Sequence, residues 1–177
     1  MNRALLLDRD GVINEDGRYL CRSEGIRFLD GIFPLCRAAQ EKGYRIIIVT
    51  NQSGIGRGYY TEEDFFELTR WMCGEFLEHG ITITQVYYCP YHPDKGIGRY
   101  RFDSEDRKPN PGMILKARDE FDLDLQSSIL IGDRDSDMEA GRRAGIGTLL
   151  LLSEKNAGEA GENVHILHSL RECEAFL

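Results

Sequence analysis

Acidic side chains stand directly after two apolar stretches of the sequence, where they could act together on a phosphate ester. Asp8 and Asp10 follow the run Ala4–Leu7, and Asp133 follows the run Ser128–Ile131. If Ala4–Leu7 is a strand, Asp8 could attack phosphorus while Asp10 donates a proton to the leaving alkoxide. Taken alone, the Asp8–Gly11 stretch could equally be a solvated turn, because Asp and Gly are common turn residues.

Further polar residues of the kind that a phosphate site needs follow other parts of the chain. Several carboxylates that converge repel one another unless a cation neutralises them, and Mg²⁺ prefers such oxygen ligands. The stretch Thr50–Gly54 offers a hydroxyl and backbone N–H groups that suit a phosphate. Lys108, beside Arg107, supplies fixed positive charge. The signals are weak singly, but together they favour phosphoryl-transfer chemistry.

Five short apolar runs predict the strands that must position these residues. Continuous apolar runs are typical of strands buried on both faces of a parallel sheet, and the stretches between them are amphipathic. This alternation predicts an α/β fold with a doubly wound, mainly parallel sheet, in which ligands bind beyond the carboxyl ends of the strands. The runs are Ala4–Leu7, Arg45–Thr50, Gln85–Tyr88, Ser128–Ile131 and Thr148–Leu152.

Helix signals lie between the predicted strands. Asp30 is expected to cap a helix that ends at Gly43, and Asn110 to cap one with Pro111 at its first position. Thr61–Asp64 resembles a capping box that precedes apolar residues at helical spacing. Those apolar residues are Phe65, Leu68, Met72 and Phe76, and a last helix is predicted over 133–145.

Composition narrows the classes of function. A chain of 177 residues fits one catalytic domain over 1–177, and its net charge of −8 disfavours nucleic acid and anionic membranes as partners. No run approaches the roughly 20 apolar residues of a membrane span, and no secretory signal is evident. Five scattered cysteines are typical of reduced thiols, so we expect a cytoplasmic protein, and a monomer by default.

Four motifs resemble those of the haloacid dehalogenase superfamily of phosphotransferases. They read DRDGVIN, TNQSGIGRG, RKPNPGM and GDRDSDMEAG, and the match spans about residues 3–152. The resemblance implies a Rossmann-like fold with little or no cap domain, with Asp8 as nucleophile and Asp10 as general acid and base. It also implies Mg²⁺ held by Asp8, the Asp10 backbone carbonyl and Asp133, while Thr50 and Lys108 stabilise the phosphoryl group.

Within that superfamily, DRDGVIN, TNQSGIGRG, YYCPYHP and RKPNPGM together resemble the motifs of the D-glycero-D-manno-heptose 1,7-bisphosphate phosphatases. This implies removal of the 7-phosphate from a small phosphorylated sugar, with Arg107 at the sugar end or second phosphate. A surface ion pair with Glu105 or Asp106 is the alternative for Arg107. The implied substrate contacts are Arg9, Asp16, Gly17, Arg18, Tyr19, Asn51, Gln52, Ser53, Arg107 and Arg134.

Two other functions stay open on the same residues. Histidinol-phosphate phosphatases share much of the motif vocabulary, so another small phosphate ester could be the substrate. A signalling receiver module also surrounds a phosphorylated Asp with acidic residues, a hydroxyl and a Lys. Asp10 counts against the receiver module, which needs no general acid two residues after the phosphorylated one.

The segment from Cys89 to Lys108 departs from the subfamily's pattern. Many members hold a structural zinc there through one His and three Cys, but here only Cys89 is in register. Structural zinc is therefore not expected. The segment could be a positively charged lid or a plain surface loop, since it carries Gly96, Gly98, Arg99 and Arg101.

Overall fold

The computed structural model describes residues 1–154 and 163–177, and a parallel sheet lies at its centre. The strands in that part of the chain are β1 (Arg3–Leu7), β2 (Tyr44–Asn51), β3 (Ile83–Cys89), β4 (Ile129–Gly132), β5 (Thr148–Leu152) and β6 (Val164–Leu167). They lie side by side in the order β3-β2-β1-β4-β5-β6, and each neighbouring pair is parallel. The predicted fold class is confirmed.

Five of these strands coincide with the apolar runs of the sequence, but β6 was not predicted. It is a four-residue edge strand whose sequence includes the exposed His165. The ring of His165 packs against that of Phe176, with 4.8 Å between their centroids. An edge strand with one exposed polar position lacks the continuous apolar run on which the prediction depends.

The helices are α1 (Ile32–Glu41), α2 (Ser53–Gly56), α3 (Glu62–Glu78), α4 (Gly112–Phe121), α5 (Asp135–Ala144) and α6 (Leu170–Cys173). The capping box at the start of α3 is confirmed. The Asp64 backbone N–H donates to Thr61 Oγ1 over 3.0 Å, and the Thr61 N–H donates back to Asp64 Oδ2 over 2.8 Å. The four predicted apolar residues of α3 are all buried.

The expected cap of α1 is wrong. Gly31, with φ of 90°, precedes the helix, and no side chain caps it. The Asp30 carboxylate instead accepts a hydrogen bond from Arg171 over 2.9 Å. The left-handed turn at Gly31 starts the helix, and α1 ends at Glu41, two residues before Gly43.

The expected cap of α4 is also wrong. Pro111 is the capping residue rather than the first helical one, and the helix begins at Gly112. The Asn110 amide faces back along the chain and donates to the Ser104 carbonyl over 3.0 Å. The Asn110 side chain therefore bonds an earlier residue of its own loop instead of capping the helix.

The sheet is buried on both faces because its strands are apolar at successive positions. Leu5 and Leu7 pack into one cluster with residues of α1 and α3, while Ala4 and Leu6 pack on the opposite face with residues of α4 and α5. Each face excludes water from apolar surface, which is the main favourable contribution to folding.

Strand register brings the functional residues to one edge of the sheet. Leu7 pairs with Ile48 of β2 and with Ile131 of β4, so the residues that follow these three strands emerge together. This edge is where ligands bind in doubly wound folds. Among the described helices, none combines the length and the apolar character that crossing a bilayer requires.

Candidate active site

A buried lysine links two carboxylates at the centre of the sheet edge. Lys108 Nζ lies 3.0 Å from Asp8 Oδ1 and 2.6 Å from Asp137 Oδ1, and it donates to the Val49 carbonyl over 2.8 Å. Its three N–H donors are thereby satisfied. Burial disfavours the ammonium, but Asp8 and Asp137 outweigh that effect and raise the pKa of Lys108. The side chain is therefore a permanent positive charge beside Asp8.

Asp8 is held with one oxygen engaged. Its Oδ1 accepts from the Arg9 backbone N–H over 2.8 Å as well as from Lys108, which leaves Oδ2 to face phosphorus or a cation. Burial raises the pKa of Asp8 to about 8, against the lowering effect of Lys108, and the charges of Asp137 and Asp133 add to the rise. A nucleophile must be ionised, so this carboxylate needs more positive charge than Lys108 supplies.

A divalent cation would supply that charge, and the carboxylates present fit one. One oxygen from each of Asp8, Asp133 and Asp137 lies within 4.8 Å of the others. Burial, and then the charge of Asp137, raise the pKa of Asp133 to about 6, and its Oδ1 is buried without a hydrogen-bond donor in the described part of the chain. Both oxygens of Asp137 are engaged, so Asp8 and Asp133 are the better ligands.

Gly11 makes room for Asp133. Its φ is +90°, and a Cβ atom added there would lie 2.1 Å from Asp133 Oδ2. Any other residue would be strained at this φ and would displace the carboxylate. The glycine after Asp10 is thus required by the close approach of the two loops.

Asp10 is fixed by side chains that surround its carboxylate. Arg9 binds both oxygens through Nε and Nη2 at 3.0 Å each. Asn14 Nδ2 donates to Oδ1 over 3.0 Å, and Gln52 Nε2 donates to Oδ2 over 3.3 Å. The Asp10 carboxylate is therefore held at the cavity, in a position that suits the predicted proton transfer.

The end of β2 connects this carboxylate to Lys108. Gln52 Nε2 also donates to Thr50 Oγ1 over 2.9 Å, and the Tyr60 hydroxyl donates to Gln52 Oε1. Asn51 brackets the backbone of Lys108, donating to its carbonyl and accepting from its N–H at 3.0 Å each. One short segment therefore positions both a hydroxyl and the lysine.

These residues open into a polar cavity of about 870 Å³. Arg134 closes one wall with an ion pair to Asp16 over 2.9 Å. Tyr19, with φ of 53°, stacks on Tyr59 with 3.8 Å between ring centroids. The predicted residues that line the cavity are Asp8, Asp10, Asp16, Gly17, Arg18, Tyr19, Asn51, Gln52, Ser53, Arg107, Lys108 and Arg134.

Sequence comparison identifies relatives over most of the chain. A family model described as "HAD-hyrolase-like" matches residues 106–173. The chain is 58% identical over 156 residues to the D-glycero-alpha-D-manno-heptose-1,7-bisphosphate 7-phosphatase of Burkholderia mallei, covering 88% of this chain and 82% of that one. The D-glycero-beta-D-manno-heptose-1,7-bisphosphate 7-phosphatase of Vibrio cholerae is 42% identical over 177 residues, covering 98% of this chain and 95% of that one. The chain belongs to the heptose 1,7-bisphosphate 7-phosphatase family.

Superposition on solved structures supports this family assignment. A protein from Mesorhizobium loti, named as a HAD-like phosphatase, superposes with a TM-score of 0.90 at 34% identity, covering 99% of this chain and 85% of that one. The D,D-heptose 1,7-bisphosphate phosphatase of B. bronchiseptica, solved with magnesium and phosphate, has a TM-score of 0.83 at 24% identity, covering 98% and 96%. The second likeness shows the shared fold alone. The superfamily predicted from the motifs is confirmed.

One residue predicted to contact substrate lies elsewhere in this phosphatase. Arg9 is buried beneath the cavity and does not line it. Its guanidinium binds Asp10 and donates to the Leu20 carbonyl over 3.1 Å. Arg9 therefore holds the Asp10 carboxylate in position and does not contact a ligand in the cavity.

Sequence reasoning missed several residues that line the cavity, among them Asp137, Arg57 and Tyr60. Asp137 stands in the motif that follows β4, and its spacing of four from Asp133 places it in the first turn of α5. Arg57 and Tyr60 lie in the loop after α2 and line the cavity. Only the Asp137 spacing was a signal in the sequence, because the other two depend on how the loop folds back.

Residues 89–106 of this segment do not line the cavity in the described structure. Arg99 donates to the Tyr100 hydroxyl over 2.8 Å and pairs with Glu62, so its charge is directed at α3. None of the glycines and arginines proposed for a lid lines the cavity in the described structure. Arg107 makes no ion pair with Glu105 or Asp106 there, and donates to the Tyr91 carbonyl over 3.3 Å.

The residues of this segment that could ligate zinc are otherwise engaged. Cys89 is fully buried in the core, and Asp106 pairs with Lys116. His92 accepts from the backbone N–H groups of Asp94 and Lys95, over 3.2 and 3.1 Å. The expectation that this loop holds no zinc stays a prediction.

Proposed function

We propose that this member of the family removes the 7-phosphate of D-glycero-α-D-manno-heptose 1,7-bisphosphate with the help of Mg²⁺. The observation that carries the proposal is the buried Lys108 between Asp8 and Asp137, next to a carboxylate pair that fits a cation. That arrangement suits phosphoryl transfer, which depends on positioning and charge. The sugar is proposed from the relatives.

The α anomer is proposed from relative identity. The alpha-specific proteins of Burkholderia mallei and Campylobacter jejuni are 58% and 51% identical to this chain. The beta-specific proteins of Vibrio cholerae and Yersinia pestis are 42% identical over their matches. Residues that select the anomer are expected to be shared with the more similar group.

In the first step, Asp8 forms an oxygen–phosphorus bond and the bond from phosphorus to the sugar oxygen breaks. Asp10 donates its proton to that oxygen, which leaves as the sugar hydroxyl. The positive charge of Lys108 stabilises the negative charge on the phosphoryl oxygens through space, since its three donors are engaged, and the buried Thr50 hydroxyl is proposed to assist from the end of β2. When bound at Asp8, Asp133 and the Asp10 carbonyl, Mg²⁺ supplies the charge that keeps Asp8 ionised.

In the second step, water attacks the phospho-aspartate. Asp10 accepts a proton from that water, and the bond between phosphorus and the Asp8 oxygen breaks to release inorganic phosphate. The hydrogen bonds from Arg9, Asn14 and Gln52 hold Asp10 in place for both transfers. Arg107 and Arg134 line the wall where the sugar and its second phosphate are proposed to bind.

The test measures phosphate release with Mg²⁺ from both heptose anomers and from histidinol phosphate. We expect the α anomer to give the highest kcat/KM, and Asp8→Asn to abolish release. Asp119→Asn, an exposed carboxylate in α4, is the matched control and should keep wild-type activity. Borohydride should trap the phospho-aspartate on Asp8. Release that is unaffected by Asp8→Asn would contradict the mechanism, and preference for histidinol phosphate would contradict the substrate.

Other expectations stay predictions alongside this one. We propose a single catalytic unit over residues 1–177, a monomer, and a cytoplasmic location. All five cysteines are free thiols in the structure, which suits a reducing compartment. Metal analysis of the purified protein would test for zinc, and light scattering would test the oligomeric state.

A further inference from the structure

Arg57 lies on the cavity wall in a contact made with an aromatic pair. Its Nη1 donates to the Tyr19 hydroxyl over 3.0 Å, and Tyr19 stacks on Tyr59. The backbone N–H of Arg57 donates to the Ser53 carbonyl over 3.0 Å, which ties the residue to the end of α2. The guanidinium is therefore anchored at the edge of the site rather than free in solvent.

The charge of Arg57 has no carboxylate partner. Over residues 1–154 and 163–177, no carboxylate oxygen lies within 4.0 Å of its guanidinium, whereas Arg134 and Lys108 on the same cavity are both ion-paired. Its Nε is buried without an acceptor, and no described acceptor bonds Nη2. Nη2 is therefore the donor of Arg57 that is left for a ligand, and a hydrogen bond from a guanidinium to a phosphate oxygen is strengthened by the opposite charges.

A second unpaired guanidinium stands nearby. Arg107 also lines the cavity, and its guanidinium donates to the Tyr91 carbonyl without a carboxylate partner among the described residues. Burial lowers the pKa of Arg107, and the positive charges of Arg57 and Arg134 lower it further. Two cations that share a wall without a described counter-charge leave a local excess of positive potential, in a protein with a net charge of −8. Such a wall favours an anion.

The catalytic end of the cavity does not use this charge. Lys108, Asp8 and the cation site are assembled from the strand ends, and Arg57 makes no contact with any of them. The phosphoryl group that is transferred is thus provided for without Arg57. An anion on another part of the same ligand is the remaining candidate.

We propose that Arg57 is a specificity-determining residue, which binds a second phosphate of the substrate and selects bisphosphates over monophosphates. The inference rests on the proposed function, since it assumes that the first phosphate is the one attacked by Asp8. Tyr19 would hold the guanidinium in position, so that little side-chain freedom is lost when the phosphate binds.

The experiment compares heptose 1,7-bisphosphate with heptose 7-phosphate, for the wild type and Arg57→Ala. We expect Arg57→Ala to lower kcat/KM for the bisphosphate roughly 10- to 100-fold, and for the monophosphate by less than about threefold. Arg57→Lys should recover part of the loss, because it keeps the charge without the fork. Arg70→Ala, an exposed arginine of α3, is the matched control and should behave as the wild type.

Binding without turnover separates this inference from the proposed function. In the Asp8→Asn background, calorimetry should show that Arg57→Ala weakens binding of the bisphosphate by a similar factor. The affinity for the monophosphate should be unchanged. If the wild type does not hydrolyse the heptose pair, the proposed function fails, and the same titration with fructose 1,6-bisphosphate against fructose 6-phosphate still decides the role of Arg57. Equal losses for bisphosphate and monophosphate would overturn the inference.

Discussion

Replacing Asp137 by alanine should destabilise the protein more than any surface substitution. Its side chain is 2% exposed. Its Oδ1 forms the 2.6 Å ion pair with Lys108, and its Oδ2 accepts from the backbone N–H groups of Asp133 and Arg134, over 3.1 and 3.0 Å. The substitution would leave a buried ammonium with one carboxylate and two N–H groups with no acceptor.

The magnitude follows from these contacts. Breaking a buried ion pair by removing one partner costs about 3–5 kcal/mol. Each orphaned backbone donor costs about 1–3 kcal/mol when water cannot reach it, but these terms overlap with the first. We therefore expect a loss of at least about 3 kcal/mol in the free energy of unfolding, a large part of the roughly 5–15 kcal/mol of a typical domain. Since Lys108 would also shift, kcat/KM should fall about a hundredfold.

Equilibrium unfolding in urea, without added metal, measures the first quantity. Asp119→Ala is the matched control, because its ion pair with Arg118 is exposed to solvent and should contribute little to stability. Asp137→Asn, which keeps the size of the side chain, gives a second reading if the alanine variant does not fold. A loss as small as that of the control would refute the view that Asp137 holds Lys108 in place.

Three further predictions concern the cavity. Gly11→Ala should lower the free energy of unfolding in urea by about 1–3 kcal/mol, because the added Cβ would meet Asp133. It should also raise the Mg²⁺ concentration needed for activity, and an unchanged Mg²⁺ dependence would contradict this. Tyr60→Phe should lower the free energy of unfolding by about 1–3 kcal/mol in the same assay and reduce kcat, since Gln52 Oε1 loses its buried donor. A variant as stable as the wild type would refute this prediction. The pKa of Asp8 is raised to about 8 and that of Asp133 to about 6, so the cation-free protein loses stability as pH rises from about 4 to 8. Mg²⁺ must displace those protons, and saturating Mg²⁺ should therefore raise Tm more at about pH 8 than at about pH 5.5, with EDTA as control; an equal shift would count against the site.

The candidate catalytic residues could be proposed from the sequence because their positions depend on local pattern. Asp8, Thr50 and Asp133 each stand at or just beyond the end of an apolar run, and parallel strands must bring those ends to one edge. The capping box of α3 was predictable for the same reason, since its partners are three residues apart. The spacing between nearby residues and the presence of continuous apolar runs can be read directly from a sequence.

Tertiary contacts decided what these patterns left open. Arg9 follows Asp8 in the sequence, but only the fold shows that the Arg9 guanidinium binds Asp10 beneath the cavity. Asn51 brackets Lys108, and Tyr19 anchors Arg57, across separations of 57 and 38 residues. Such pairs leave no periodic signal, because each depends on where distant loops meet rather than on spacing along the chain.

The fold class could be inferred from the sequence alone, and so could Asp8 as candidate nucleophile and the edge of the sheet at which the candidate site lies. The tertiary structure alone decided which charges are paired. Asp137 and Arg134 have partners, whereas the guanidinium of Arg57 has no carboxylate near it in the described structure. The physical reason is that the effect of a charge depends on burial and on neighbours within a few ångströms, which chain folding sets.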